Sequence, residues 1–167
     1  METGSVASVT VALLGGWAAW TLTEYVAHRW VLHPRGRGRL ATAASAEHRM
    51  HHRHPLATRL PLRITGHVAL WTLALGSVSV VAPVVTGDGV PAPALGFAVG
   101  WALGYSVYEL GHWRTHHRSS QLRWRRDIRR HHLIHHRDPG GVNYGVTVDW
   151  WDRVFGTHRA HNGGERV

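Results

Sequence analysis

Hydrophobic and polar positions segregate along this chain on the scale of whole helices rather than of alternate residues. No Asp, Glu, Lys or Arg occurs from Thr3 to Thr23, from Ile64 to Gly87 or from Gly89 to Tyr108, runs of 21, 24 and 20 residues. About 20 mostly apolar residues take a helix across the hydrocarbon core of a bilayer. The runs therefore predict membrane spans near residues 5–27, 64–86 and 90–111. Gly15, Gly16, Thr21, His67, Ser77 and Ser79 dilute their apolarity without adding charge. Together the runs are more core than a soluble domain of 167 residues could enclose. Thr86 to Pro91 reads as the tight turn of a helical hairpin, and His67 as a polar residue bonded within the bundle.

Charge then gives an orientation. Basic residues outnumber acidic ones 19 to 10, and every one of them is Arg. Eight lie between Arg29 and Arg63 and eleven between Arg114 and Arg166. Short Arg-rich segments stay on the cytoplasmic side, so both blocks are expected there, with the N-terminus outside. The first run has only Glu2 before it and lacks the positive start of a secretory signal, so it reads as an uncleaved anchor. A sequence pI near 11.4 taken alone suggests nucleic acid. Arginines confined to the flanks of uncharged spans argue for a membrane protein with no nucleic-acid partner. Such a face would instead attract an acidic redox protein or anionic lipid headgroups.

The chain has no Cys and 16 His, which excludes disulfides, thiolate metal sites and a cysteine nucleophile. The histidines cluster where spans are expected to emerge or in the segments beyond. His28 and His33 form a His-x4-His pair, followed by Pro34; His48, His51 and His52 form a His-x2-His-His group. His112 and His116 are four apart, and His132, His135 and His136 repeat the His-x2-His-His spacing. Residues three and four apart share a helical face, so each triplet is expected to converge. His28 and His33 stand about 140° apart on an ideal helix and need a distorted turn or an ion between their faces. Ten imidazoles suit two ions with about five nitrogen neighbours each, and imidazole suits iron, zinc, copper or nickel. His54, His117 and His131 are expected beside the site. A histidine-rich metal buffer is the main alternative, but such tracts are contiguous, whereas these groups are divided among separate segments. A hydrolytic zinc enzyme would need about three ligands rather than ten.

Metal-bound His usually gives its second N–H to a carboxylate or carbonyl. Glu24, four residues before His28, and Glu109, three before His112, are candidates for that orienting role. Surface ion pairs with nearby Arg are the alternative.

These residues resemble the fatty acid hydroxylase superfamily, the membrane di-iron group that includes sterol desaturases. Glu24 through His33 resembles its first histidine box, and His48 to His52 with Pro55 the second. Gly104 to Glu109 leading into His112 and His116 is similar to the third, and His132, His135 and His136 to the fourth. Asn143 to Thr147 and Trp151 to Thr157 look like the segment that follows in the fatty acid 2-hydroxylase branch. The resemblance covers roughly residues 20–160.

It implies an all-α fold: an integral membrane helical bundle of about three spans forming one domain, 1–167. The cytoplasmic segments 28–63 and 112–160 would make a helical histidine-rich cap around a dimetal site. The implied metal ligands are His28, His33, His48, His51, His52, His112, His116, His132, His135 and His136. The implied cofactors are two iron ions, with zinc an alternative occupant and O2 a co-substrate. The implied activity is hydroxylation of a lipid C–H bond, foremost in a fatty acyl chain. A carotenoid or sterol hydroxylase or desaturase is the alternative within the superfamily, and a histidine-rich membrane metal-binding protein the one outside enzymes. The implied partners are a lipid substrate, the membrane, and a separate electron-donor protein of ferredoxin or cytochrome b5 type.

Overall fold

Uncharged runs without β-branched alternation should fold as helices, and among the described residues the chain has no strand. The structure, a computed structural model, describes residues 2–34, 43–57, 77, 81, 84–87, 89–138 and 141–160. The elements are α1 (Glu2–Val26), a π-helical turn (Ala27–Leu32), α2 (Ala43–Arg53), α3 (Ala92–His117), α4 (Arg123–Arg137) and α5 (Trp150–Val154). Val6–Leu32 is the one stretch among the described residues long and apolar enough to cross a membrane by length and composition. α3 covers the segment expected as the third span. Most of the expected second span, including His67, lies outside the described residues, as do residues 35–42 and 58–63 of the expected cap.

The chain divides into two compact units, one of Met1–Thr21 with Ile64–Val107 and the other of Leu22–Arg63 with Tyr108–Val167. In the first unit, α1 and α3 meet through glycine. A Cβ at Gly16 would fall on the Phe97 carbonyl oxygen, one at Gly100 on that of Leu13, and one at Gly104 within 2.7 Å of the Trp20 side chain. Gly96, Gly100 and Gly104 recur every four residues, the small-residue spacing that lets helix backbones approach closely. Trp20 then packs edge-on against Trp101 and Tyr105, with ring centroids 5.4 and 5.2 Å apart. The outward positions are apolar: Val6, Val11, Leu14, Leu95, Val99 and Leu103 are all exposed. Hydroxyls on these helices are satisfied locally, Thr10 donating to the Val6 carbonyl at 2.9 Å and Ser106 to that of Ala102 at 2.9 Å. Thr21, one of the residues that dilute the first run, likewise donates to the Ala18 carbonyl at 2.8 Å. The turn before α3 uses Gly87 and Gly89 at φ 82° and 71°, values that favour glycine.

This contact yields a first prediction. Gly100→Val forces α1 and α3 apart and is expected to destabilise by about 1–3 kcal/mol, as overpacking does. Gly15→Ala, with open space around its Cβ, should be neutral. Thermal midpoints in detergent distinguish them, and equal midpoints would refute close backbone packing.

The second unit carries the histidines. α2 is rich in Ala and stops before Pro55, its end marked by His54 N–H donating to the Met50 carbonyl at 2.9 Å. α4 is amphipathic: His131, His132, Ile134 and His135 are buried, whereas Arg123, Arg126 and Arg130 are exposed. A segment without regular structure, residues 141–149, runs from α4 to α5.

Candidate metal centre

The His28–His33 spacing is resolved by the backbone. Ala27–Leu32 winds as a π-helix, and His33 N–H donates to the His28 carbonyl at 3.1 Å, an i→i+5 bond. A π-turn stacks residues five apart, so the two rings come to 5.2 Å between centroids. Pro34 follows immediately.

All ten candidate histidines gather in the second unit, in two groups of five. His28, His33, His48, His52 and His135 form one; His51, His112, His116, His132 and His136 form the other. Within each group one ring nitrogen per residue lies within 4.8 Å of all the others. Each triplet divides between the groups instead of converging on one point. His48 and His52, four apart, join the first group while His51 joins the second; His132 and His136 join the second while His135 joins the first. The reason is helical: adjacent residues diverge by about 100°, whereas residues four apart nearly eclipse. Each His-His dipeptide thus contributes one ring to each group.

The nitrogens of the first group are too crowded for ordinary hydrogen bonding. His48 Nε2 lies 3.0 Å from His28 Nε2, 2.9 Å from His33 Nε2 and 3.0 Å from His52 Nε2. His33 Nε2 is also 3.0 Å from His135 Nε2. One imidazole nitrogen offers a single proton or a single lone pair. His28 Nδ1 donates to the Tyr144 carbonyl at 2.5 Å and His135 Nδ1 to the Val142 carbonyl at 2.9 Å. A carbonyl only accepts, so in neutral rings both Nε2 atoms hold lone pairs aimed inward. In the second group, His116 and His132 Nε2 lie 3.0 Å apart. The buried Nε2 atoms of His112 and His136 have no hydrogen-bond partner among the described residues.

Protons do not resolve this crowding. Burial, reinforced by His52 and Arg49, pushes His33 down to about 4. Burial pushes His52 down to about 4, and, with His51 and His117 adding to it, His116 to about 3. His135 falls to about 3, again through burial, although its bond to Val142 works the other way. His48, His132 and His136 are held well below the ordinary histidine range by burial and neighbouring rings. A cation bound by neutral imidazoles is what converging lone pairs require. Metal–nitrogen bonds of about 2.1 Å place opposed ligands about 4.2 Å apart, close to the observed spread. The residues fit a pair of nitrogen-bound ions.

The remaining candidates have other places. Glu24 and Glu109 are buried, which removes the surface ion-pair reading for both. Glu24 serves the loop rather than the His28 ring. Its Oε1 accepts from Val146 N–H at 2.6 Å and Thr147 N–H at 2.7 Å, and its Oε2 from the Thr147 hydroxyl. The direct orienting role expected for Glu24 is thereby corrected: a backbone carbonyl, Tyr144, receives the His28 Nδ1 proton. His54 is exposed, His117 stacks on Trp113 at 4.9 Å, and His131 turns to Asp152 at 2.9 Å. None of the three belongs to either group.

Sequence reasoning missed the support that segment 142–159 gives. Asp152 is fully buried and accepts Tyr144 N–H at 2.7 Å, Gly145 N–H at 2.8 Å, the Thr157 hydroxyl at 2.7 Å and His131 Nε2–H at 2.9 Å. Burial acts to raise the Asp152 pKa, but the bonds from His131, Thr157 and Gly145 prevail and hold it below the usual carboxylate range. Asn143 sits at φ 56° and bonds the His131 and Arg159 backbone. A hydroxyl relay leads outward, Arg29 donating to Tyr25 at 2.8 Å and Tyr25 to Thr157 at 2.8 Å. The motif Asn143–Thr157 was the available signal; its backbone carbonyls leave none.

Comparison with known proteins places this arrangement. The model of the fatty acid hydroxylase family matches residues 13–157, and the chain belongs to that family. It is 32% identical over 149 residues to a dihydroceramide fatty acyl 2-hydroxylase of Arabidopsis thaliana, covering 85% of this chain and 58% of that protein. It is 33% identical over 147 residues to a ceramide very long chain fatty acid hydroxylase of Schizosaccharomyces pombe, covering 85% of this chain and 40% of that one. Full-length scs7p, solved with only its hydroxylase domain visible, superposes with a TM-score of 0.72 at 24% identity over 91% of this chain and 56% of that chain. The fold is shared with that domain. The chain spans between about two fifths and three fifths of the length of these relatives.

Proposed function

We propose that the chain is a membrane oxidoreductase that hydroxylates a fatty acyl chain, at carbon 2 and on a ceramide-type lipid as the relatives' names indicate. The observation that carries this reading is the pair of five-histidine groups within a chain of the fatty acid hydroxylase family. The ten histidines are the metal ligands, and iron is the native metal, with zinc able to occupy the same nitrogens. Two irons held there would supply O2 activation for insertion of one oxygen atom into a C–H bond, with two electrons from a separate ferredoxin or cytochrome b5 type donor.

The protein's own part is positional. The π-turn, α2, α3 and α4 hold the imidazoles, burial keeps them neutral, and the 142–159 segment fixes ring orientation. Glu109, buried three residues before His112, takes the orienting role there. We assign residues 1–167 to one membrane-embedded hydroxylase domain with three spans, near 5–27, 64–86 and 90–111. Both Arg-rich segments face the cytoplasm and the N-terminus lies outside. The exposed apolar faces of α1 and α3 support lipid contact.

Lipid profiling of cells expressing the intact chain tests the reading. A hydroxylated acyl species that appears only with the intact protein is expected. Metal binding without any new hydroxylated lipid would instead favour a metal-binding protein.

A further inference from the structure

The short helix α5 faces two ways. Inward, Asp152 is fully buried and holds the Tyr144 and Gly145 N–H groups, so α5 positions the loop whose carbonyls take the His28 and His135 ring protons. Outward, the same turn presents Trp150, Val154 and Phe155, which are 41%, 67% and 42% exposed. These side chains are not isolated. Phe155 stacks on Tyr25 with ring centroids 5.1 Å apart and meets Trp30 edge-on at 6.2 Å. Trp30 and Val31 are themselves about half exposed. Two segments far apart in sequence therefore build one exposed apolar corner with three aromatic rings. Scattered apolar residues need no explanation on a surface, but a contiguous group marks an interaction site.

The place of this corner along the first membrane stretch indicates what covers it. Val6–Leu32 has 27 residues. At 1.5 Å per residue that is about 40 Å, close to the roughly 40–45 Å of a bilayer with both headgroup layers. Trp30 and Val31 close the stretch, so they fall at headgroup level. Glu24 and His28 do not shorten it, because both are buried, while Val26, Trp30 and Val31 keep the exposed side apolar. Phe155, set against Trp30, is brought to the same depth. Trp is enriched at that level. Arg29 lies over the Trp30 ring at 4.8 Å, a cation at the apolar boundary suited to lipid phosphates.

We propose that Trp150, Val154 and Phe155, with Trp30 and Val31, form a lipid-binding seat that enters the headgroup layer of the membrane crossed by α1. The proposal rests on the reading of Val6–Leu32 as a membrane span. The partner is the bilayer surface, bound by apolar burial and by cation–phosphate attraction, as amphipathic segments bind interfaces. α5 thereby joins lipid contact on one side to Asp152 and the histidine-anchoring loop on the other.

The chain has no Cys, so one introduced cysteine carries a single nitroxide label. The full-length protein is placed in nanodiscs of phosphatidylcholine and phosphatidylglycerol and labelled at Val154→Cys, at Leu14→Cys on α1 or at Asp127→Cys on α4, all exposed positions. Spin relaxation is read with dissolved oxygen, with a water-soluble nickel chelate and with nickel chelated on lipid headgroups. The label at 154 should respond to oxygen and to headgroup nickel and should lose most of the aqueous-nickel effect seen at 127. Trp150→Cys repeats the measurement if Val154→Cys does not fold, judged by helical circular dichroism. A label at 154 that aqueous nickel reaches as fully as at 127, or that headgroup nickel leaves untouched, would overturn the proposal and leave the corner to a protein partner. Aqueous nickel reaching the label at 14 would instead reject the membrane span beneath it.

Discussion

Replacing His135 by alanine is expected to abolish lipid hydroxylation and to remove one of two bound ions. His135 is completely buried on α4, its Nδ1 committed to the Val142 carbonyl and its Nε2 facing His33. Without that ring the first group keeps four nitrogens, and the loop loses one of the rings it anchors. Losing an outer partner of a ligand costs 10–100-fold, so losing the ligand itself should cost more than about a hundredfold in activity. His51→Ala should do the same through the second group. His54→Ala, an exposed histidine in the same sequence cluster, should leave both activity and metal content unchanged. Activity assays paired with metal analysis check all three; full activity with two ions in the His135 variant would reject its role.

Acidification is expected to have the next largest effect, and its sign follows from burial. His33 and His52 at about 4, and His116 and His135 at about 3, lie below the histidine value of about 6.5 in an unfolded chain. Between those limits the unfolded chain binds protons that the folded one refuses. Stability is therefore full above about pH 6.5 and falls as pH drops towards 3. The fully buried His135 alone contributes about 1.4 kcal/mol per pH unit over that window, which lowers the thermal midpoint of a chain this size by about 3–5 °C per unit. Bound metal adds to the slope in the same direction, because only neutral rings coordinate. Thermal midpoints of metal-free protein between pH 8 and 4 measure the effect. A flat profile from pH 7 to 4.5 would contradict neutral, buried imidazoles.

Much of this site was legible because its chemistry is written in side chains. Imidazoles at i, i+3 and i+4 report helix faces directly, and the excess of ten over any single ion's needs pointed to more than one group, as the two groups of five show. The His28–His33 spacing even announced a distorted turn, though not that the turn would be π-helical. The division of each triplet between two groups was harder to read. A ligand count does not say which of two adjacent rings turns to which neighbour; that depends on where the other helices lie. Glu24 shows a different limit. Its sequence distance from His28 suggested direct contact, but the tertiary fold brings Val146 and Thr147 to it from 122 and 123 residues away. The carbonyls of Val142 and Tyr144 carry no sequence signature, since every residue has one. In the first unit, Gly16 read as dilution of an apolar run, whereas a Cβ there would fall on the Phe97 carbonyl of α3.

The most direct test of two ions held by ten imidazoles is crystallographic: anomalous scattering at the iron edge from the iron-loaded protein. Two peaks per chain are predicted, one enclosed by His28, His33, His48, His52 and His135, the other by His51, His112, His116, His132 and His136. A lone peak, or density lying away from these rings, would contradict it.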